Sequence, residues 1–287
     1  MSGGWTLRRF ESSADYEACV ALQEEIWGPA FAERVPAAIL KVSQEVGGVS
    51  AGAFDDEGRL LGFVFGLTGL REGRLSHWSD MLAVRPEMRG RGLGIELKRF
   101  QRDAVLALGV EEMLWTFDPL RAGNAHLNLN KLGAVVRAYR ADMYGATGSP
   151  LHDGIGTDRF VAFWPLRHER VVARLSGGRA AAGEDGAARA RDAPAALAVR
   201  PPGAGTGEAH PRPGEPAPDL DDRVVTVAIP ADIGAIMERD AGLARAWRQA
   251  TRAVLTSYFG RGYEARALLR EGPTCRYLLE RDPEPAR

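Results

Sequence analysis

The sequence predicts a mixed α/β fold in which a mixed sheet is flanked by helices. Two observations carry that expectation. Apolar runs of strand length alternate with segments of helical period, and one run, Ser79–Val84, leads at once into a basic glycine-rich turn and a helix (Met81–Gly94, MLAVRPEMRGRGLG). Length adds a bound: 287 residues, 45% hydrophobic, can bury one sizeable core or two smaller ones.

Taken in order, Trp5–Phe10 alternates weakly and is a candidate first strand. Ser12 or Ser13 offers an N-cap, and Tyr16, Cys19, Val20, Ile26 and Trp27 form the apolar face of a helix ending at Gly28. A second helix runs from Pro36 to Glu45. Val49–Phe54 and Leu60–Leu67 are the second and third strands, joined by a hairpin at Asp55–Arg59. A fourth strand, from His77 to Val84, follows a loop over Thr68–Leu75 and stops at Pro86, because proline removes a ladder donor and fixes φ. Leu93, Leu97, Phe100, Ala104 and Leu108 then mark one face of a helix closed by Gly109. Glu112–Phe117 is a fifth strand, with Asp118 and Pro119 at its end. Asn124–Leu132 reads as a short helix, N-capped by Asn124 and stopped by Gly133. Strands at Val135–Tyr139 and Arg159–Leu166 follow, and the Asp142–Thr157 loop between them carries Tyr144.

From Gly177 to Pro218 the composition turns to Ala, Gly, Pro, Arg and acids, with Leu197 and Val199 the only large aliphatics. Such a stretch cannot offset the entropy of folding. The expected organisation is therefore a first domain over 1–174, a disordered Ala/Gly/Pro-rich linker over 175–222, and a strand–helix–hairpin extension over 223–287. The extension consists of a strand at Arg223–Ile229, a helix with Leu243, Trp247, Ala250, Val254 and Tyr258 on one face, and a hairpin of Tyr263–Leu269 with Cys275–Leu279. It is too small to stand alone comfortably, so it is expected to pack on the first domain, and it is a candidate dimer contact.

The turn at Arg89–Gly94 reads as a phosphate seat. Gly90, Gly92 and Gly94 let the backbone turn and approach a ligand with no Cβ in the way. The first turn of the following helix offers unpaired N–H groups at the positive end of the helix dipole, and Arg89 and Arg91 add charge. A nucleotide P-loop would need Gly-Lys-Ser/Thr where this chain has Gly92-Leu93-Gly94-Ile95. A dinucleotide fingerprint would need a glycine where Ile95 stands.

Composition narrows the classes. Net charge is −1, and the 37 basic residues include only three lysines, Lys41, Lys98 and Lys131, with no long basic run. Nucleic acid is therefore not an expected partner. Cys19 and Cys275 lack C-x-x-C or metal spacing and fit a reducing compartment. His77, His126, His152, His168 and His210 show no ligand spacing, so no metal is expected. The N-terminal stretch has no apolar signal core and no run approaches membrane-spanning length, which points to the cytoplasm and away from a membrane.

Strand, Arg-x-x-Gly-x-Gly, then helix resembles the acyl-CoA-binding motif of the GNAT N-acyltransferase superfamily. The likeness continues through Trp115–Leu120 (WTFDPL), Asn124-Ala125, Lys131–Ala134 (KLGA), Tyr144-Gly145 and Asp158–Phe160 (DRF). Together these resemble a GNAT branch of predicted acyltransferases that includes amino-acid N-succinyltransferases, strongly over residues 5–172 and more weakly beyond. The resemblance implies a GNAT fold with a splayed sheet, and transfer of an acetyl or succinyl group from acetyl-CoA or succinyl-CoA to the amine of a small molecule, such as an amino acid. It implies that Leu82, Ala83 and Val84 pair with the pantetheine, that Arg89, Gly90, Arg91, Gly92, Leu93 and Gly94 hold the pyrophosphate, and that Asn124 touches the cofactor. Trp115, Asn128 and Arg159 are the candidate substrate residues, with Arg121 and Arg159 open as partners for an acid-tailed donor.

Such chemistry needs a base for the amine, which contributes about 10²–10⁴-fold. Asp80, on the fourth strand, and Asp118, at the end of the fifth, are equal candidates. Many GNAT enzymes carry a tyrosine acid where this chain has Leu129, so either Tyr144 or Tyr139 supplies the proton or the thiolate leaves unaided. A CoA-binding module without turnover is the alternative class.

Overall fold

The computed structural model describes residues 4–145, 154–176, 188–200 and 210–281. They form two compact units: the first reaches to Trp115 and includes Trp164–His168, and the second holds the other described residues from Thr116 onward. Each unit is a mixed sheet with helices packed on it, in keeping with the predicted class. The chain passes between them within β5 (Glu112–Phe117) and β7 (Arg159–Pro165).

In the first unit β1 (Thr6–Arg9), β2 (Val49–Phe54), β3 (Leu60–Arg71) and β4 (Arg74–Val84) pair antiparallel in that order, and β5 joins β4 in parallel. Ser12, not Ser13, caps α1 (Ser13–Trp27): its Oγ accepts the Asp15 N–H at 3.2 Å while the Asp15 carboxylate accepts the Ser12 N–H at 3.1 Å. Arg8 grips the same carboxylate at 2.7 and 2.8 Å. Tyr16, Cys19 and Leu22 of α1, with Leu40 of α2 (Ala37–Glu45), pack on Phe10, Phe54, Phe63, Phe65, Met81 and Ala83.

The expected loop over Thr68–Leu75 is instead a two-residue turn. Glu72 and Gly73 both take positive φ, 53° and 77°, as a type I′ turn requires, so the two strands run on to Arg71 and Arg74. The inner face of α3 (Leu93–Leu106) also differs from the apolar stripe. Leu93 and Leu97 are buried as expected, but Lys98, Gln101 and Val105 complete the face and Leu108 is exposed. Polar side chains can occupy that face because they bond one another, as set out below.

In the second unit β6 (Val135–Arg140) pairs with β7, and meets β12 (Tyr263–Glu271) at the single pair Val136↔Ala265. β13 (Thr274–Arg281) pairs with β12 and with β11 (Val224–Pro230), and β8 (Ala195–Leu197) adds in parallel to β11. Where β12 leaves β6, the Asn130 side chain substitutes for a strand, accepting the Leu268 N–H at 2.9 Å and donating to its carbonyl at 2.8 Å. Phe160 centres the core, meeting Phe117, Phe259 and Tyr277 edge-on at 5.5, 5.4 and 5.2 Å.

Two local expectations are corrected here. Asn124 is not an N-cap. The Asp118 carboxylate accepts the Leu120 N–H at 2.8 Å and the chain turns there, so α4 (Ala122–Ala125) begins earlier and continues as a π-helical turn over His126–Lys131. The segment expected to be a disordered linker carries β8, a two-stranded ribbon of β9 (Val199–Arg200) with β10 (Arg212–Pro213), and Leu197 at 0% exposure. Burial of Ala190, Ala196 and Leu197 and pairing with β11 seat its first part, and hydrogen bonds to its carbonyls hold the second. After the helices α5 (Glu169–Leu175) and α6 (Ile233–Arg239), the long helix α7 (Ala241–Gly260) supplies Trp247, Ser257 and Tyr258, which donate to the carbonyls of Pro211, Pro218 and Ala217 at 3.1, 2.8 and 2.9 Å. His152 and the middle of the Tyr144 loop lie outside the described residues.

Candidate functional site

Asp80 sits in a β-bulge. Phe65 pairs with Met81 and Gly66 with Ser79, which leaves Asp80 without a partner on β3. On its other side β4 pairs with β5 only at His77↔Met113 and Trp78↔Leu114. A bulge bends its strand, and the bend explains why pairing with β5 ends there. Beyond it, Leu82, Ala83 and Val84 remain bonded to β3 through Val64, Phe63 and Gly62, while their opposite edge stays outside the ladder. Asp80 itself is exposed. The protein around its carboxyl nevertheless desolvates it and raises its pKa above the ordinary carboxylate value, against a hydrogen bond with the Trp78 side chain.

That edge runs into the glycine turn. One 3₁₀ turn over Pro86–Met88 leads to Arg89, and Gly90 and Gly92 follow with φ of 77° and 89°, conformations that disfavour any side chain. Gly92 is the N-cap of α3 and brings no side-chain acceptor. The N–H groups of Ile95 and Glu96 bond back to the Gly92 carbonyl at 2.9 and 3.2 Å, which leaves those of Leu93 and Gly94 outside the ladder. A Cβ at Gly90 or Gly92 would meet nothing within 4 Å, so the space above the turn is open. Exposed Arg89 and Arg91 flank it. An uncapped N-terminus on a fourteen-residue helix, with two guanidinium groups beside it, fits a diphosphate.

The first unit thus brings together Asp80, Leu82–Val84, Arg89–Gly94 and Trp115. Trp115 is only 6% exposed, its ring covered by Lys98 and meeting Trp164 edge-on at 5.7 Å. Its side chain belongs to the core, so the expectation that it touches substrate holds at most for its backbone.

The other candidates belong to the second unit. Asp118 is 4% exposed, and both its oxygens accept from Arg248 Nη2, at 2.9 and 2.8 Å. The Tyr144 hydroxyl lies 2.9 Å from Thr116 Oγ1, and the Arg159 guanidinium stands 5.2 Å from the Tyr144 ring centre. Asn128 is buried, whereas Asn124 is exposed in a cleft of about 160 Å³ with Arg121 and Asp232. Tyr139 is committed to Asp158, and burial first, then that hydrogen bond, raises its hydroxyl pKa well above the usual phenol value. Burial alone would raise Asp158, but hydrogen bonds from Arg252, Tyr139 and the Asp142 N–H hold it below the ordinary value. Leu129 is fully buried.

A larger concavity, about 350 Å³, lies between α1 and the start of α2. It is lined by Glu17, Val20, Ala21 and Glu24, the α1 face opposite the one buried by Cys19, Leu22 and Gln23. It opens away from the core side of that helix.

Sequence reasoning missed the polar side chains under the bulge, namely His77, Ser79, Lys98 and Gln101. The signal was a lysine and a glutamine at α3 positions that turn inward with Leu97. Among the described residues no group of three or more His, Cys, Asp or Glu side chains is arranged to hold a metal ion, and no helix is long and apolar enough to cross a membrane.

No protein-family model matches the sequence, and no curated protein matches it. Part of the chain is similar to several solved structures. One is from the NatC complex bound to Gag peptide and CoA, with 13% identity over 56% of this chain and 98% of that one and a TM-score of 0.46. Another is the ribosomal-protein-S18-alanine N-acetyltransferase of Escherichia coli, with 18% identity over 57% and 95% and a TM-score of 0.45. A third is Ard1 from Thermoplasma volcanium, with 16% identity over 56% and 96% and a TM-score of 0.43.

Proposed function

We propose that this protein is a CoA-dependent N-acyltransferase of the GNAT type, with the acyltransferase part in residues 1–174 and an added C-terminal part in 223–287. The observation that carries the reading is the bulge at Asp80, which frees one edge of Leu82–Val84 and leads that edge to the uncapped glycine N-terminus of α3. An extended amide-bearing chain would add to the free edge as a strand does, with its diphosphate on the Leu93 and Gly94 N–H groups between Arg89 and Arg91. Unpaired strand N–H groups beside the bulge are the donors available to polarise a thioester carbonyl.

Asp80 then takes the proton that the acceptor amine must lose, directly or through water. Its raised pKa makes its carboxylate a stronger base than an ordinary aspartate's, and its exposure leaves it open to the incoming group. Asp118, whose two oxygens are held by a buried arginine, is assigned to holding structure. The nitrogen bonds to the acyl carbon, the carbon–sulfur bond breaks, and the thiolate leaves with its electron pair to be protonated by solvent. Roles for Asn124, Asn128 and Arg159 are part of the same proposal.

An amino-acid acceptor and a succinyl donor rest on the resemblance of Trp115–Leu120, Lys131–Ala134 and Asp158–Phe160 to one GNAT branch, and a small-molecule acceptor, a homodimer and a cytoplasmic setting are proposed with them. The test is thiol release from acetyl-CoA and succinyl-CoA against pooled D- and L-amino acids, with Arg89→Glu as control. Release by the native protein that Arg89→Glu abolishes supports the reading. CoA binding without release over every pool leaves a CoA-binding module, and neither binding nor release overturns both.

A further inference from the structure

Beneath the bulge lies a buried polar chain that the proposed chemistry does not use. Lys98 Nζ, on a residue 2% exposed, donates to Ser79 Oγ at 2.8 Å and Gln101 Oε1 at 3.2 Å, touches Met113 Sδ at 3.4 Å, and sits 3.8 Å from the Trp115 ring centre. Ser79 also donates to Gln101 Oε1 at 2.8 Å. The Gln101 amide then faces His77 Nε2 at 3.0 Å, His77 Nδ1 faces Thr68 Oγ1 at 2.8 Å, and Thr68 donates to the Gly47 carbonyl at 2.7 Å. Donors run one way along the chain, which places the His77 proton on Nδ1. Gly66 keeps the path open, since a Cβ there would stand 2.3 Å from His77 Nε2 and 2.8 Å from the Gln101 amide.

Two features set Lys98 apart from an ordinary core residue. None of these contacts is a carboxylate, so burial opposes its charge and lowers its pKa well below that of a free lysine. Ser79 and Gln101 also satisfy each other without it, so a methionine of similar length would fill the space at less cost. The amine is therefore not what the core needs. It stands where β4 and β5 part: Ser79 is the last β4 residue before the bulge, and Met113 and Trp115 span the end of β5 pairing.

We propose that Lys98 is a positioning residue that ties Ser79 to Trp115 and so sets where β4 and β5 separate, and with that the placing of the donor's thioester against Asp80. The proposal rests on the acyltransferase reading above. Lys98→Met is expected to melt at a higher temperature than the native protein, to bind CoA within about twofold, and to lose about 10–100-fold in kcat with KM for acyl-CoA little changed. Hydrogen exchange in the free protein is expected to quicken in peptides covering Met81–Val84 and Trp115–Phe117. A lower melting temperature with unchanged kcat and exchange would make Lys98 a plain core residue and overturn the proposal. Should Lys98→Met fail to fold, Ser79→Ala removes the tie and keeps the amine; it must show the same kcat loss and faster exchange, and native values in it also overturn the proposal. Native protein that binds no CoA and releases no thiol overturns the acyltransferase reading first, a result distinct from an active enzyme indifferent to Lys98.

Discussion

Arg248 Nη2 lies 2.9 Å from one oxygen of Asp118 and 2.8 Å from the other, with both side chains 4% exposed. Arg248 Nε also donates to the Ile155 carbonyl at 3.1 Å, and Asp118 caps the turn into α4 through the Leu120 N–H. The pair is thus a joint between the end of β5 and α7. Removing one partner leaves the other charge buried, which costs about 3–5 kcal/mol. Arg248→Met is expected to lower the unfolding free energy by that amount, read from a urea titration as a lower midpoint. Asp118→Asn is expected to lose stability as well, yet to keep kcat at temperatures where it is folded; a collapse of kcat in a folded Asp118→Asn would return it to the catalytic list.

For Asp80 the expectation is the reverse combination. A carboxyl whose folded pKa is raised favours the protonated form in the folded state, so its ionisation opposes folding as pH rises through that pKa. Asp80→Asn should therefore melt no lower, and at neutral pH higher, than the native protein. Activity should fall by about 10²–10⁴-fold, and the acidic limb of the kcat/KM profile should disappear, since only the ionised carboxylate can accept the proton.

Gly94 separates fold from ligand. It is helical, and an added Cβ would meet only Leu82 Cδ2 at 3.9 Å, an ordinary contact. Alanine there should stabilise α3 by about 0.5–1 kcal/mol. If the Gly94 N–H approaches a diphosphate, the same methyl obstructs it, and CoA affinity measured by calorimetry should drop while the melting temperature rises. Gly92→Ala should lose both, because its φ of 89° disfavours a side chain.

Asp15 links β1 to α1 through Arg8 and the capping box. The Arg8 hydrogen bond, with the Glu11 and Ser12 N–H groups, holds its carboxyl well below the ordinary 3.8. The stabilisation is complete above that value and is lost as pH falls through the lower folded pKa. Asp15→Ala is expected to cost about 1–3 kcal/mol at pH 7 by chemical denaturation, and its deficit relative to the native protein should shrink in acid.

The parts of the site legible in the sequence were those written by backbone chemistry. Gly90 and Gly92 announce left-handed φ, Pro86 announces a strand end, and the apolar residues after Gly92 announce a helix, so the residues alone place the turn. They do not place the bulge. Its trace is a slip in alternation around Asp80 that a single unaligned strand does not distinguish from an exposed acid. Lys98 and Gln101 were hidden because polarity reads as exposure unless partners are known, and their partners Ser79 and His77 come from another element. Residues 188–200 and 210–222 misled for the same reason: carbonyl acceptors leave no mark in composition, and the groups that fix them come from elsewhere, β11 pairing with β8 and donating from Thr226 to Pro194, and α7 donating to Pro211, Ala217 and Pro218.

The extra residue in β4 also changes which layer each side chain belongs to. Ser79 and Met81 are two apart and would share a face of a regular strand, yet Ser79 joins the polar chain under α3 while Met81 joins the apolar core with α1 and α2. A shortened strand, lacking only Asp80, would restore simple alternation. It would keep Ser79 and Met81 on their opposite faces but straighten β4, removing the bend at which pairing with β5 ends and, with it, the free edge of Leu82–Val84. The gene can change the letter at this position far more cheaply than it can lose it, so length variation among relatives of this chain should fall in the Glu72–Gly73 turn and stop short of the bulge.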